Sequence, residues 1–211
     1  MRILITAGPT REYIDDVRFI SNASSGRMGC ALAEATAAAG HSVTLLLGHG
    51  ATAAVAAEFI DRITLVPFTS VDDLAASLRE LFPACDALLM AAAVGDFRPE
   101  PRFAGKLPRA GGPIDIRLVP TRDVLAGVAA TRRADQTVVA FAVEQGSIEQ
   151  MEAKARNEMA RKGAAIVVLN TPEAMAAEAS RACVLSPTAT MLPWADRPKH
   201  LLAAEIIRLL G

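Results

Sequence analysis

The chain has 211 residues, 52% of them hydrophobic and 21% charged, which is enough apolar material for the core of one large α/β-sized domain. The formal net charge is −1, aromatics make up only 4%, and no basic run occurs, which argues against nucleic acid as a main partner. No apolar run reaches the roughly 18 residues of a membrane span, and a strand-like run from residue 2 leaves no room for a signal peptide, so no membrane partner is expected; three widely spaced cysteines without a disulfide framework make a reducing cytoplasm the expected setting.

Strands are predicted at 2–7, 42–47, 62–66, 87–91, 137–141 and 164–169. Helices are predicted between them at 26–39, 51–59, 71–82, 123–131 and 148–162. Ser70 is placed as an N-cap and Gly40 just past a helix end. Several strands are continuous apolar runs, which suits a parallel sheet buried on both faces. The alternating order predicts a Rossmann-like three-layer αβα fold with a mostly parallel central sheet, in a single domain over 1–211.

Two parts break the rhythm. Residues 96–113 are polar and carry Pro99, Pro101, Gly105, Pro108, Gly111, Gly112 and Pro113, so a flexible flap is expected there. Residues 182–185 and 190–193, around Pro187-Thr188, read as a small C-terminal antiparallel hairpin. A last helix is predicted at 198–210, with Pro198 in its first turn.

The richest segment is Arg18-Phe19-Ile20-Ser21-Asn22-Ala23-Ser24-Ser25-Gly26-Arg27-Met28-Gly29. It follows the first strand and runs into the first helix. Unpaired N–H groups and partial positive charge at a helix N-terminus suit a phosphate, and glycines let backbone approach it. The dinucleotide fingerprint G-x-G-x-x-G is absent at this turn, and strand two ends Leu47-Gly48-His49-Gly50 with no ribose-binding acid. A P-loop is absent too. Cys30, Cys85 and Cys183 are odd in number and widely spaced, without metal or disulfide spacing, and His41, His49 and His200 are scattered, so no metal site is expected.

The opening Ile5-Thr6-Ala7-Gly8-Pro9-Thr10-Arg11-Glu12, the stretch from Asp16 through Gly29, and Ala91-Ala92-Ala93-Val94-Gly95-Asp96-Phe97-Arg98 resemble phosphopantothenate–cysteine ligase. Lys106, Phe141-Ala142-Val143-Glu144, and Arg161-Lys162-Gly163 before a strand ending at Asn170 continue the match in order. The resemblance implies coupling of 4′-phosphopantothenate to L-cysteine in coenzyme A biosynthesis, through an acyl-cytidylate formed from CTP, with ATP as the alternative nucleotide. It implies Mg²⁺ held mainly by the triphosphate, a homodimer with sites near the interface, and no flavin.

The resemblance places Asn22, Lys106, Arg18 and Ala93 at the reacting groups. It implies nucleotide contacts from Met90, Ala91, Ala92, Asp96, Lys106, Arg122, Asp123, Val124, Leu125, Phe141 and Lys162. Gly8, Ser24, Gly26 and Gly29 would hold the substrate phosphate, with Arg27 either assisting or lying on the surface. Structural alternatives stand beside these roles. They are an Asx turn for Asn22, an ion pair with Asp15 or Asp16 for Arg18, a solvated loop lysine for Lys106, a turn aspartate for Asp96 and a core ring for Phe141. The sequence departs from the family at Glu158, where a lysine is usual; Lys154 is the candidate replacement. Two other classes compete: a catalytically degenerate nucleotide-binding or assembly module, and an NAD(P)-dependent oxidoreductase.

Overall fold

The computed structural model describes residues 1–109, 112–175 and 177–211. Ala110 and Gly111, inside the expected flap, lie outside the described residues. The first half of the chain runs β1 (Arg2–Ala7), β2 (Arg11–Tyr13), β3 (Phe19–Ser21), α1 (Arg27–Ala38), β4 (Ser42–Gly48), β5 (Ile63–Phe68), α2 (Val71–Leu81) and β6 (Ala87–Met90). It continues through β7 (Phe97–Pro99), β8 (Leu118–Pro120), α3 (Val124–Ala129), β9 (Thr137–Val143), α4 (Ile148–Lys162), β10 (Ile166–Asn170), β11 (Ala179–Leu185), β12 (Thr190–Pro198) and α5 (Lys199–Arg208).

Alternate residues of β1 feed two cores. Leu4 packs with Leu46, Leu74 and Leu88 on one face, and Ile3 and Ile5 pack with Leu32, Leu45 and Ile206 on the other. That double burial explains the continuous apolar runs. One sheet takes the order β5-β4-β1-β6-β9-β10-β11-β12. The strands from β5 to β10 are parallel, and β11 and β12 join antiparallel. The chain winds outward from β1 to β5, returns to the centre at β6, and winds the other way. β1 and β6 therefore flank a topological switch point, where diverging loops leave a crevice at the strand ends. Residues of α1 and α5 fill the core on one face, and residues of α2, α3 and α4 fill it on the other.

Most expected elements are present with shifted ends. Ser70 caps α2 in a reciprocal capping box with Asp73, and Gly40 takes φ 82° beyond the α1 cap. Pro198 sits one place earlier than expected, at the α5 N-cap. The C-terminal hairpin is longer than its prediction and extends the main sheet, because β11 pairs along β10. The three cysteines are buried and free; burial pushes the Cys30 thiol up to about 11 and the Cys183 thiol up to about 12.

The helix predicted at 51–59 does not form. Thr52 and Ala53 donate their N–H groups to the Ser25 carbonyl at 3.1 and 2.9 Å, and Ala56 donates to Glu34 Oε1 at 2.7 Å. Those tertiary bonds hold the segment extended, and only a 3₁₀ stretch at Ala57–Arg62 follows. The sequence reading also omitted two short hairpins, β2–β3 and β7–β8. The second takes up residues 97–99 of the expected flap. Further along, Phe103 donates to the Ile14 carbonyl at 2.9 Å, Gly105 to Asp16 Oδ2 at 2.9 Å, and Leu107 to Asp15 Oδ2 at 3.0 Å. Buried Asp15 also accepts from Val17 and Arg18, and the Arg18 guanidinium beside it holds its carboxyl well below the usual range.

Candidate active site

A cleft of about 680 Å³ opens at the carboxyl ends of β6, β9 and β10, between the start of α1 and the α3–α4 side. Close packing places its α1 wall. Gly26, the α1 N-cap, has φ 80°, and a Cβ there would meet Ala51 Cβ at 3.0 Å and Gly8 Cα at 3.4 Å. Gly29 lies on β1 so tightly that a Cβ would meet Ala7 Cβ at 2.3 Å. At the start of α1, Ser24 Oγ accepts from the Gly26 N–H and Ser25 Oγ from the Arg27 N–H, each at a long 3.4 Å, and no acid lies in the first turn, so no carboxylate on the helix offsets its positive end at the cleft. Ser24 and Ser25 line the same wall.

The floor is made by Met90, Ala91, Ala92 and Ala93 after β6, with Phe141 from β9. Thr6 Oγ1 accepts from the Ala92 N–H at 3.0 Å, and Ala93 donates to the Gly8 carbonyl at 3.0 Å, which fixes this backbone to the end of β1. Asn22 donates from Nδ2 to the Ala93 carbonyl at 3.1 Å. The same carbonyl takes the Thr10 N–H at 3.2 Å. Asn22 Oδ1 has no hydrogen bond among the described residues, so it is left as an open acceptor. The Asp96 carboxylate is likewise unengaged and lines the cleft.

The opposite wall is charged but balanced. Asp123 caps α3 by accepting from Ala126 N–H at 3.0 Å, and it pairs with Lys162 at 3.3 Å and Arg161 at 3.6 Å. Burial pushes the Asp123 carboxyl up, yet the Ala126 bond and Lys162 outweigh it and leave the group lowered. Asp123 therefore takes one of the N-terminal donors of α3. Glu158 pairs with Arg161 at 2.6 Å, and Lys154 pairs with Glu144 at 2.7 Å. Asn170 Oδ1, at the end of β10, is buried and has no partner among the described residues, an acceptor left for a ligand N–H or O–H.

The fold thus brings Asn22, Ser24, Gly26, Gly29, Met90, Ala91, Ala92, Ala93, Asp96, Arg122, Asp123, Val124, Leu125, Phe141 and Lys162 to one cleft. Arg122 turns its guanidinium to Asp72 at 2.9 Å. Gly8 supports Gly26 from beneath. Lys106 and Arg18 do not line the cleft: Lys106 is exposed on the flap, and Arg18 forms the ion pair with Asp15 that was its structural alternative. The sequence reading missed Lys199, Ser180 and Thr121, which also line it. Lys199 carried a signal, since a cation in the first turn of a helix opposes the helix dipole.

Residues 1–211 match the family described as DNA/pantothenate metabolism flavoprotein C-terminal domain. The chain belongs to this family. The coenzyme A biosynthesis bifunctional protein CoaBC of Mycobacterium tuberculosis is 40% identical over 176 residues, covering 80% of this chain and 41% of that protein. A cysteine/cysteine sulfinic acid decarboxylase from an unknown prokaryotic organism is 36% identical over 211 residues, covering 98% of this chain and 57% of that protein. The chain thus spans little more than half, or less, of these relatives. The crystal structure of the C-terminal domain of a CoaBC protein shares the family fold with this chain at a TM-score of 0.78 and 28% identity, covering 99% of this chain and 93% of that one. The Rossmann-like architecture is therefore that of a CoaBC C-terminal domain. Among the described residues, no helix is long and apolar enough to cross a membrane.

Proposed function

We propose that this chain is a ligase of coenzyme A biosynthesis that joins 4′-phosphopantothenate to L-cysteine. The observation that carries the reading is Asn22, fixed to the Ala93 carbonyl at 3.1 Å on a cleft floor flanked by a helix N-terminus without an acid on one wall and by paired charges on the other. In the first step the pantothenate carboxylate attacks the α-phosphorus of CTP, a P–O bond breaks, and pyrophosphate leaves. In the second the cysteine amine attacks the acyl carbon, the acyl–phosphate bond breaks, and CMP leaves with its electron pair.

Both steps need two anions or two polar partners brought together, which positioning and fixed positive charge supply. The nucleotide lies along Met90–Ala92, Phe141 and the Arg122–Leu125 loop, with Asp96 and Lys162 at its edges. A phosphoryl group sits against the start of α1. Asn22 donates toward the acyl carbonyl and accepts from the amine. Mg²⁺ would add charge neutralisation to the triphosphate; no cluster of three metal-ligating side chains occurs among the described residues, which fits an ion carried by phosphates and water. No flavin is needed for this chemistry, and the reaction belongs in the cytoplasm.

Lys106 and Arg18 enter the reading through a second copy. Val17, Phe19, Phe97 and Leu118, on the two short hairpins around them, are exposed hydrophobics. A homodimer closed over that surface covers the patch and brings both cations to a site; sedimentation checks the state.

The test is pyrophosphate release from purified protein with Mg²⁺, 4′-phosphopantothenate and L-cysteine, with CTP and ATP in parallel arms and product mass confirmed. Release with CTP alone is the expected result. Release with ATP keeps the ligase and replaces the nucleotide. A folded protein that binds nucleotide without release is the degenerate module instead.

A further inference from the structure

Lys199 is 94% buried, being only 6% exposed, yet it begins α5 and lines the cleft. Four features oppose a charge there. Burial removes its hydration. The N-terminus of α5 presents a positive helix end. Arg27 lies close enough to lower the lysine's pKa further, after burial itself. Among the described residues its ammonium has one acceptor, the Ala174 carbonyl at 2.9 Å, and no carboxylate within ion-pair distance.

Three N–H donors with one neutral acceptor leave two donors unused. Glu178, whose charge acts the other way and raises the lysine's pKa, is exposed and is already paired with Arg27 at 3.0 Å. Every other lysine or arginine side chain named on the cleft has a carboxylate partner in the protein. Lys199 and Ser180 stand on the same side of the sheet as the start of α1, where the N-terminal donors also lack an acid. A buried cation kept without a counter-ion, beside a second cation and a helix end, is arranged for an anion that arrives with the ligand.

We propose that Lys199 is a further binding residue of this cleft, the buried cation that takes a phosphoryl group seated against the first turn of α1. The bound group is a phosphoryl group of one of the two phosphorylated substrates, the nucleotide's polyphosphate or the phosphate ester of the acid. This inference rests on the ligase reading for the identity of those ligands, and not for the subsite itself. No bond forms or breaks at Lys199; it binds and orients.

The test compares wild type, Lys199→Met and Lys199→Arg by thermal denaturation and calorimetric binding, with CTP, 4′-phosphopantothenate and inorganic pyrophosphate as separate probes. Removing an uncompensated buried charge leaves the free protein at least as stable as wild type. One phosphorylated ligand is expected to lose about tenfold or more in affinity in Lys199→Met, with most of it restored in Lys199→Arg. Loss confined to CTP and pyrophosphate assigns the polyphosphate; loss confined to 4′-phosphopantothenate assigns the ester. Unchanged affinity for all three probes overturns the proposal, as does destabilised free protein with unchanged affinities. If wild type shows no turnover but pyrophosphate binding still depends on Lys199, the subsite stands and the ligase reading falls. If turnover is normal and the Lys199→Met variant matches wild type throughout, the reverse holds.

Discussion

The two walls of the cleft use charge in opposite ways. On the α3–α4 wall, Asp123, Glu144 and Glu158 pair with Lys162, Lys154 and Arg161, so the protein neutralises its own cations. On the α1–α5 wall, Lys199 and the N-terminal donors of α1 have no such partners. Paired groups hold each other's geometry and add little net field; unpaired buried positive charge is a standing site for an anion. A ligand carrying several negative charges is therefore drawn to one end of the cleft and positioned, rather than attracted, at the other.

The comparison can be broken most directly at the floor between the walls. Asn22→Asp keeps the shape but turns the amide donor into an acceptor. Intermediate formation is expected to survive and transfer to cysteine to fall by about a hundredfold, the scale of losing one aligned donor at a reacting carbonyl. Lys106→Gln is expected to block the earlier step instead. Single-turnover quench experiments read both, and a stall of both variants at the same step would end this division of roles.

A smaller effect isolates the α1 wall. Gly29→Ala puts a Cβ at 2.3 Å from Ala7 Cβ, and α1 must shift off β1. Overpacking of this kind costs about 1–3 kcal/mol, seen as a lower urea midpoint. Phosphate binding is expected to weaken while the ion pairs of the other wall persist; an unchanged midpoint would mean that helix and strand are not in this contact.

The smallest effect sharpens the other wall. Glu158→Lys removes the closer partner of Arg161, which keeps Asp123 at 3.6 Å, and adds a cation facing Lys162, which lies within 3.9 Å of the present carboxylate. Stability is expected to fall by about 0.5 kcal/mol, the size of a surface helix pair. Nucleotide KM is expected to drop several-fold, because the wall then carries net positive charge. No change in KM would place the polyphosphate wholly on the α1–α5 side.

Local patterns in the sequence were enough for the layers and the parallel sheet: apolar runs for β1, β6 and β10, the Ser70 cap, and glycines at the first turn; the other cleft residues were named through the family resemblance. The floor from Met90 to Ala93 was legible as the end of a predicted strand, whereas Asn22 was named through the family resemblance alone, because it follows the short strand β3 that leaves no periodic signal. The remaining features depend on contacts between distant parts of the chain. The 51–56 segment is extended because the Ser25 carbonyl and Glu34 take its donors, a choice no local propensity encodes. The short hairpins β2–β3 and β7–β8 pair over three residues each, too briefly to leave a periodic signal. Lys199 lies near the end of the chain and Arg27 near its start, and they share a wall only because α1 and α5 pack on the same face of the sheet. Charge balance within a cleft is a sum over elements distant in sequence, so it becomes visible only once the fold has brought them together.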